Sequence, residues 1–168
     1  MIFLAAKLVD ILEKRADELA KRWARLVIEH EMTPGYAVTD EVELCNRARN
    51  VYASLGKFLD QSFSATDARA KYYDLGKRRY REGFGIVELM VALSLEKIVL
   101  WEAVQEEGLT TSFDLQGALE LLAEVSRFFD KALIWSMMGY EDEKAAGNRK
   151  IGERRPTGRW FAVKPSKD

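Results

Sequence analysis

Phe84-Gly85-Ile86-Val87-Glu88-Leu89-Met90-Val91-Ala92-Leu93-Ser94-Leu95-Glu96-Lys97-Ile98-Val99-Leu100-Trp101-Glu102-Ala103-Val104-Gln105-Glu106-Glu107 is the stretch whose reading decides the fold. Wound at 3.6 residues per turn, it is apolar around most of its circumference. Glu88, Ala92, Glu96, Ala103 and Glu106 fall along one narrow stripe, flanked by large apolar side chains. A helix this apolar is surrounded by other helices. Glu88, Glu96 and Lys97 interrupt it too often for a membrane span.

Outward from this stretch, the chain reads as further amphipathic helices. Leu4, Leu8, Leu12, Leu19, Trp23, Leu26 and His30 share one face of a first helix over 4–30. Thr33-Pro34-Gly35 ends it. Asp40, with Glu43 three residues later, forms a capping box opening a second helix that runs to about Gln61. Ser64 or Thr66 caps a third, through Tyr80, and Gly83 and Gly85 mark a sharp joint before the apolar helix. Gly108 ends that helix, and Ser112 caps a fifth, to about Tyr140. The expected fold is all-α, a bundle of about five helices around 84–107. Leu121, Phe128 and Trp135 recur every seven residues and suggest an interhelical seam between two copies.

The 168 residues suit one domain with a substantial core, and 48% hydrophobic with 32% charged residues is a globular balance. The charge is unevenly spread. Residues 144–168 hold eight Lys or Arg against two acids, a surplus of +6, which leaves −7 on residues 1–143 within the chain's net −1. The expected division is a helical domain over 1–140 and a basic tail over 141–168. One cysteine, Cys45, fits a reducing cytoplasm, and the N-terminal residues have neither the basic start of a signal peptide nor the length of a span.

The chain carries no Walker loop, no dinucleotide fingerprint, no paired-histidine metal motif and no Cys-x-x-Cys. One histidine and one cysteine make no structural zinc site without carboxylates. The sequence therefore names no catalytic residue, no metal and no enzyme. Two residues carry a ligand-binding reading. His30 lies near a helix end, where it either meets terminal carbonyls or serves as a haem ligand or proton sensor. Lys97 lies with Ile86, Met90, Leu93 and Val104, opposite the Glu88 stripe, so its amine pairs with a carboxylate, snorkels, or faces an anion pocket. Cys45 reads as an inert small hydrophobe. In the tail, Arg154, Arg155, Arg159, Trp160 and Phe161 mix cations with aromatics and form a candidate partner-binding segment. The acidic body disfavours nucleic acid as that partner.

The run Leu75-Gly76-Lys77-Arg78-Arg79-Tyr80-Arg81-Glu82-Gly83-Phe84-Gly85-Ile86-Val87-Glu88-Leu89, with the later Leu100-Trp101 step, resembles the N-terminal helical domain of RsbR-type RsbT co-antagonist proteins of stressosomes and some sensor kinases. The resemblance covers about residues 5–138. It implies a sensory or dimerising module placed before an output domain, and some related sensor domains look like globins that lack haem. No output domain follows Tyr140 in this sequence, so the implied role is protein binding rather than phosphoryl relay. The resulting expectation is a non-catalytic, cytoplasmic, homodimeric signalling module with a protein partner and no cofactor. The alternative is a small-ligand or haem-binding sensor with a pocket near Lys97 or His30.

Overall fold

The computed structural model describes residues 3–59 and 65–153. Among the described residues every regular element is helical: α1 (Phe3–Lys14), α2 (Ala16–Glu29), α3 (Pro34–Ala37), α4 (Glu41–Tyr52), α5 (Leu55–Leu59), α6 (Ala65–Arg81), α7 (Ile86–Glu106) and α8 (Ser112–Glu153). The all-α expectation stands. Helix α7 contacts α1, α2, α3, α6 and α8, and it buries Leu89, Leu93, Val99, Leu100 and Val104. The broadest helix pairings are α6 with α8 and α2 with α4.

The first helix is not continuous. It is interrupted at Arg15, whose N–H is shared between the carbonyls of Ile11 and Leu12. Arg15 sits at this joint and pairs with Glu18, Glu106 and Glu107 at 2.7–2.9 Å, while Arg22 on α2 pairs with Glu102 and Glu106. The joint thereby fastens α1 and α2 to the C-terminal end of α7. The second expected helix is likewise two, α4 and α5, separated at Ala53 and Ser54. Pro34, expected only as a terminator, instead opens the short α3, where a proline in the first turn gives up no needed N–H.

Asp40 caps α4 as expected, its Oδ2 accepting from Glu43 N–H at 3.1 Å. At α8 the cap is Thr111 rather than Ser112. Thr111 Oγ1 accepts from Asp114 N–H at 3.0 Å, and Asp114 Oδ2 accepts from Thr111 N–H at 3.1 Å. Gly83 adopts φ +87°, and Phe84 N–H and Gly83 N–H donate to the carbonyls of Arg79 and Tyr80. This is a Schellman end to α6, which a residue with a Cβ closes only under strain.

Helix α8 does not stop near Tyr140. It runs to Glu153, and its later turns still pack on α6: Tyr73 Oη donates to Asp142 at 2.6 Å, and Arg81 pairs with Glu143 at 2.9 Å. These contacts hold the turns of α8 just beyond Tyr140 against α6. The seven-residue row on α8 also faces the other way from expectation. Leu121 and Phe128 are buried in the core, and Trp135 packs against it. The large apolar residues left exposed on these two helices are instead Phe113, Leu115, Leu119, Ile134, Met137 and Met138 on α8, and Val87, Ile98 and Trp101 on α7.

The α6–α8 contact depends on two glycines. A Cβ at Gly76 would lie 1.9 Å from the Ser136 carbonyl oxygen, and one at Gly139 would lie 1.9 Å from that of Tyr73. The two backbones therefore approach more closely than any side chain allows.

Candidate functional site

The charged residue inside the apolar helix is Glu96, not Lys97. Lys97 is half-buried, and its Nζ lies 3.4 Å from Asp130 Oδ1 on α8. It makes a part-exposed pair between α7 and α8. Glu96, one position earlier, is 7% exposed. The stripe of Glu88, Ala92, Glu96 and Ala103 faces α2, α3 and α4, because its small residues let neighbours come close. Trp23 Nε1 donates to the Ala92 carbonyl at 2.9 Å, and Tyr52 Oη reaches the Glu96 carbonyl at 3.3 Å.

Glu96 lines a partly open cavity of about 360 Å³ bordered by α2, α3, α4, α6 and α7. Its walls are partly apolar, with Trp23, Leu75, Leu89 and Leu93, and partly charged. Arg47 reaches in from α4, and Lys71, Tyr72 and Arg79 reach in from α6. Arg47 and Arg79 are bridged by one carboxylate: Glu82 Oε2 lies 2.5 Å from Arg79 Nη1, and Glu82 Oε1 lies 3.7 Å from Arg47 Nη2. Arg47 also pairs with Glu43.

Burial governs the electrostatics here. Loss of hydration pushes the Glu96 carboxyl up to about 8, against the pull of Lys71 and Arg79, so it holds its proton at neutral pH. Burial pushes the Lys71 amine down, with Glu96 opposing, and its Nζ lies 4.1 Å over the Phe58 ring. The phenols of Tyr72 and Tyr52 are pushed well up, first by burial and then by the neighbouring Glu96. Tyr36 is also raised by burial, while the Arg79 charge beside it opposes.

Of six buried side-chain polar atoms without a hydrogen-bond partner among the described residues, four belong to residues that line this one cavity: Arg47 Nη1, Arg79 Nε, Tyr72 Oη and Glu96 Oε2. Orphaned polar atoms are normally scattered and few, so their gathering marks the site. The set offers hydrogen-bond donors and positive charge. It holds no histidine, cysteine or serine to act as a nucleophile.

His30 lies elsewhere, at the C-terminal end of α2, where its Nδ1 accepts from Met32 N–H at 3.1 Å. This contact is with a backbone N–H beyond the helix, not with its terminal carbonyls. Cys45 is partly buried, and loss of hydration pushes its thiol up, away from the reactive thiolate. Among the described residues no group of three or more His, Cys, Asp or Glu is placed to hold a metal ion, and no helix is long and apolar enough to cross a membrane. Arg154, Arg155, Arg159, Trp160 and Phe161 lie outside the described residues.

Sequence reading did not single out Glu96, Arg79, Arg47 or Tyr72 as a group. The one available signal was Glu96 falling in register with Ala92 and Ala103, a small-residue stripe of the kind that packs inward.

Residues 17–155 match the family model described as the RsbT co-antagonist protein rsbRD N-terminal domain. No curated protein and no solved structure matches the chain.

Proposed function

The chain belongs to the family of RsbT co-antagonist protein rsbRD N-terminal domains, and from that premise we propose that it is a non-catalytic, cytoplasmic signalling module that acts through protein contacts and as a homodimer. The family carries the signalling role. The exposed apolar face of α7 and α8 is the observation that supports self-association.

At helical spacing Val87, Ile98 and Trp101 share one side of α7, and Leu119, Ile134 and Met137 share one side of α8. Lys97 and Asp130 pair between these two rows and join them into one surface. Three of the six are large side chains at least 49% exposed: Leu119, Ile134 and Val87. A second copy of the same face would cover them by an isologous contact. This surface replaces the Leu121, Phe128 and Trp135 row as the candidate seam. Partner binding through the basic residues beyond Glu153, Arg154, Arg155, Arg159, Trp160 and Phe161, belongs to the same reading.

The test is sedimentation of the wild type and of Trp101→Glu with Ile134→Asp. A dimer mass for the wild type and a monomer mass for the double variant are expected. A monomer mass for the wild type at every concentration removes the dimer. Affinity capture with and without residues 144–168 tests the partner half of the proposal, and identical captured sets would remove the tail from it.

A further inference from the structure

Helices α6 and α7 follow one another through a tight turn, yet they touch only sparingly along their length. The cavity beside Glu96 lies between them. Arg79 and Glu96 are each 7% exposed and Tyr72 is 1% exposed; all three residues line this space, and each has a buried polar atom with no partner among the described residues. An unmet buried hydrogen bond costs roughly 1–3 kcal/mol, and three such groups around one cavity form a site shaped for a polar guest.

The charge identifies the guest. The cationic groups are Arg47, Lys71, Arg78 and Arg79, and the acids facing them are Glu43, Glu82 and Glu96. Glu43 and Glu82 are engaged by Arg47 and Arg79, and Glu96 is protonated at neutral pH, so positive charge prevails. Lys71 and Arg78 also line an outer groove on α6 with Asp74, Lys77 and Arg81. This basic mouth stands on a body whose first 143 residues carry −7, and a local field of that kind draws small anions inward.

The walls narrow the class further. Trp23, Leu75, Leu89 and Leu93 add apolar surface to the polar lining. Tyr72 and Arg79 are two helical turns apart on α6, about 10 Å. A guest of that span has an anionic group at the Arg79 end, an apolar body, and a hydroxyl or second polar group at the Tyr72 end.

We propose that this cavity binds a small organic carboxylate with an apolar body, its carboxylate held by Arg79 and Arg47 and its far end hydrogen-bonded by Tyr72 and Glu96. Arginine suits the anionic end because its planar fork matches a carboxylate, which an ammonium does not. This ligand site is independent of self-association on the outer face of α7 and α8.

The experiment is calorimetric titration of the full chain with 4-hydroxybenzoate, benzoate, phenol and inorganic phosphate, with a panel of two- to nine-carbon carboxylates by thermal shift. Saturable binding of 4-hydroxybenzoate, weaker binding of benzoate and none of phenol are expected. Arg79→Lys should weaken carboxylate binding at least tenfold, while Arg127→Lys on the exposed side of α8 leaves it unchanged. If Arg79→Lys does not fold, Arg47→Gln carries the same comparison, because Arg47 is part-exposed and sits on a different helix. Silence across the whole carboxylate panel, equal binding by wild type and variants, or binding of phosphate alone would each overturn the proposal.

Discussion

Glu88 and Gly35, fifty-three positions apart, are joined by a hydrogen bond from Gly35 N–H to Glu88 Oε1 at 2.5 Å. The other oxygen, Oε2, accepts from Gly85 N–H at 2.7 Å and so closes the N-terminus of Glu88's own helix. One carboxylate thus satisfies a donor at the start of α7 and another at the start of α3, where the helix dipole also favours negative charge. Glu88→Ala should destabilise by about 1–3 kcal/mol, the range for leaving part-buried donors unmet. Glu102→Ala, which removes a part-exposed pair with Arg22, should cost under about 1 kcal/mol. Denaturant melts of the two variants measure the difference, and equal losses would contradict the role given to Glu88.

Gly76 and Gly139 should respond to alanine in the opposite sense from ordinary helical glycines. In an exposed helix interior, Gly→Ala stabilises by about 1 kcal/mol. Here the new methyl meets a backbone carbonyl at 1.9 Å, which no rotamer change relieves. Gly76→Ala and Gly139→Ala should each destabilise by about 3 kcal/mol or more, at the upper end of overpacking costs. Gly108→Ala, with open space around its position, supplies the comparison. A rise in melting temperature for either helix–helix variant would mean that α6 and α8 stand farther apart.

These two glycines also show where sequence reading stops. Periodicity placed Leu8, Leu12, Leu19 and Trp23 on a buried face, and they are buried. Asp40 with Glu43 announced an N-cap, and Gly83 after the basic turn at 78–81 announced a sharp joint, through local chemistry. A helical wheel supplies angles, however, and not neighbours. It set Glu96 among Ala92 and Ala103 without saying that Trp23 and Tyr52 would close over that stripe, and it made Lys97 the odd residue instead. Nor does a wheel distinguish a seven-residue row facing a second copy from one facing the chain's own core, the fate of Leu121 and Phe128. Residues on five different helices form the cavity, and no spacing along the chain relates Arg47 to Arg79 or to Glu96.

Lys97→Met should be close to neutral. The pair with Asp130 is 3.4 Å long, and Asp130 is 64% exposed, so the abandoned acid keeps its water. Part-exposed pairs of this kind contribute roughly 0–1 kcal/mol. A thermal melt of the variant should lie within a few degrees of wild type, and its affinity for any carboxylate should be unchanged. Loss of carboxylate binding in Lys97→Met would move the ligand site to the α7–α8 groove.

Glu96 gives the fold a pH dependence of unusual sign for an acid. Burial pushes its carboxyl up to about 8 in the folded chain, from an ordinary value of 4.5. Between those values the folded state holds a proton that the unfolded state has released, so stability falls as pH rises through this window. Below it both states are protonated, and above it both are ionised, so the Glu96 contribution is level at either side. Glu96→Gln keeps a neutral hydrogen-bonding group of similar shape and removes the titration. Wild type should therefore lose stability relative to Glu96→Gln between pH 5 and pH 8, and urea midpoints across that range read the difference directly. Parallel curves for the two proteins would mean that Glu96 reaches water or a cation closely enough to ionise freely, and the cavity would then be wet and open rather than closed around its polar groups.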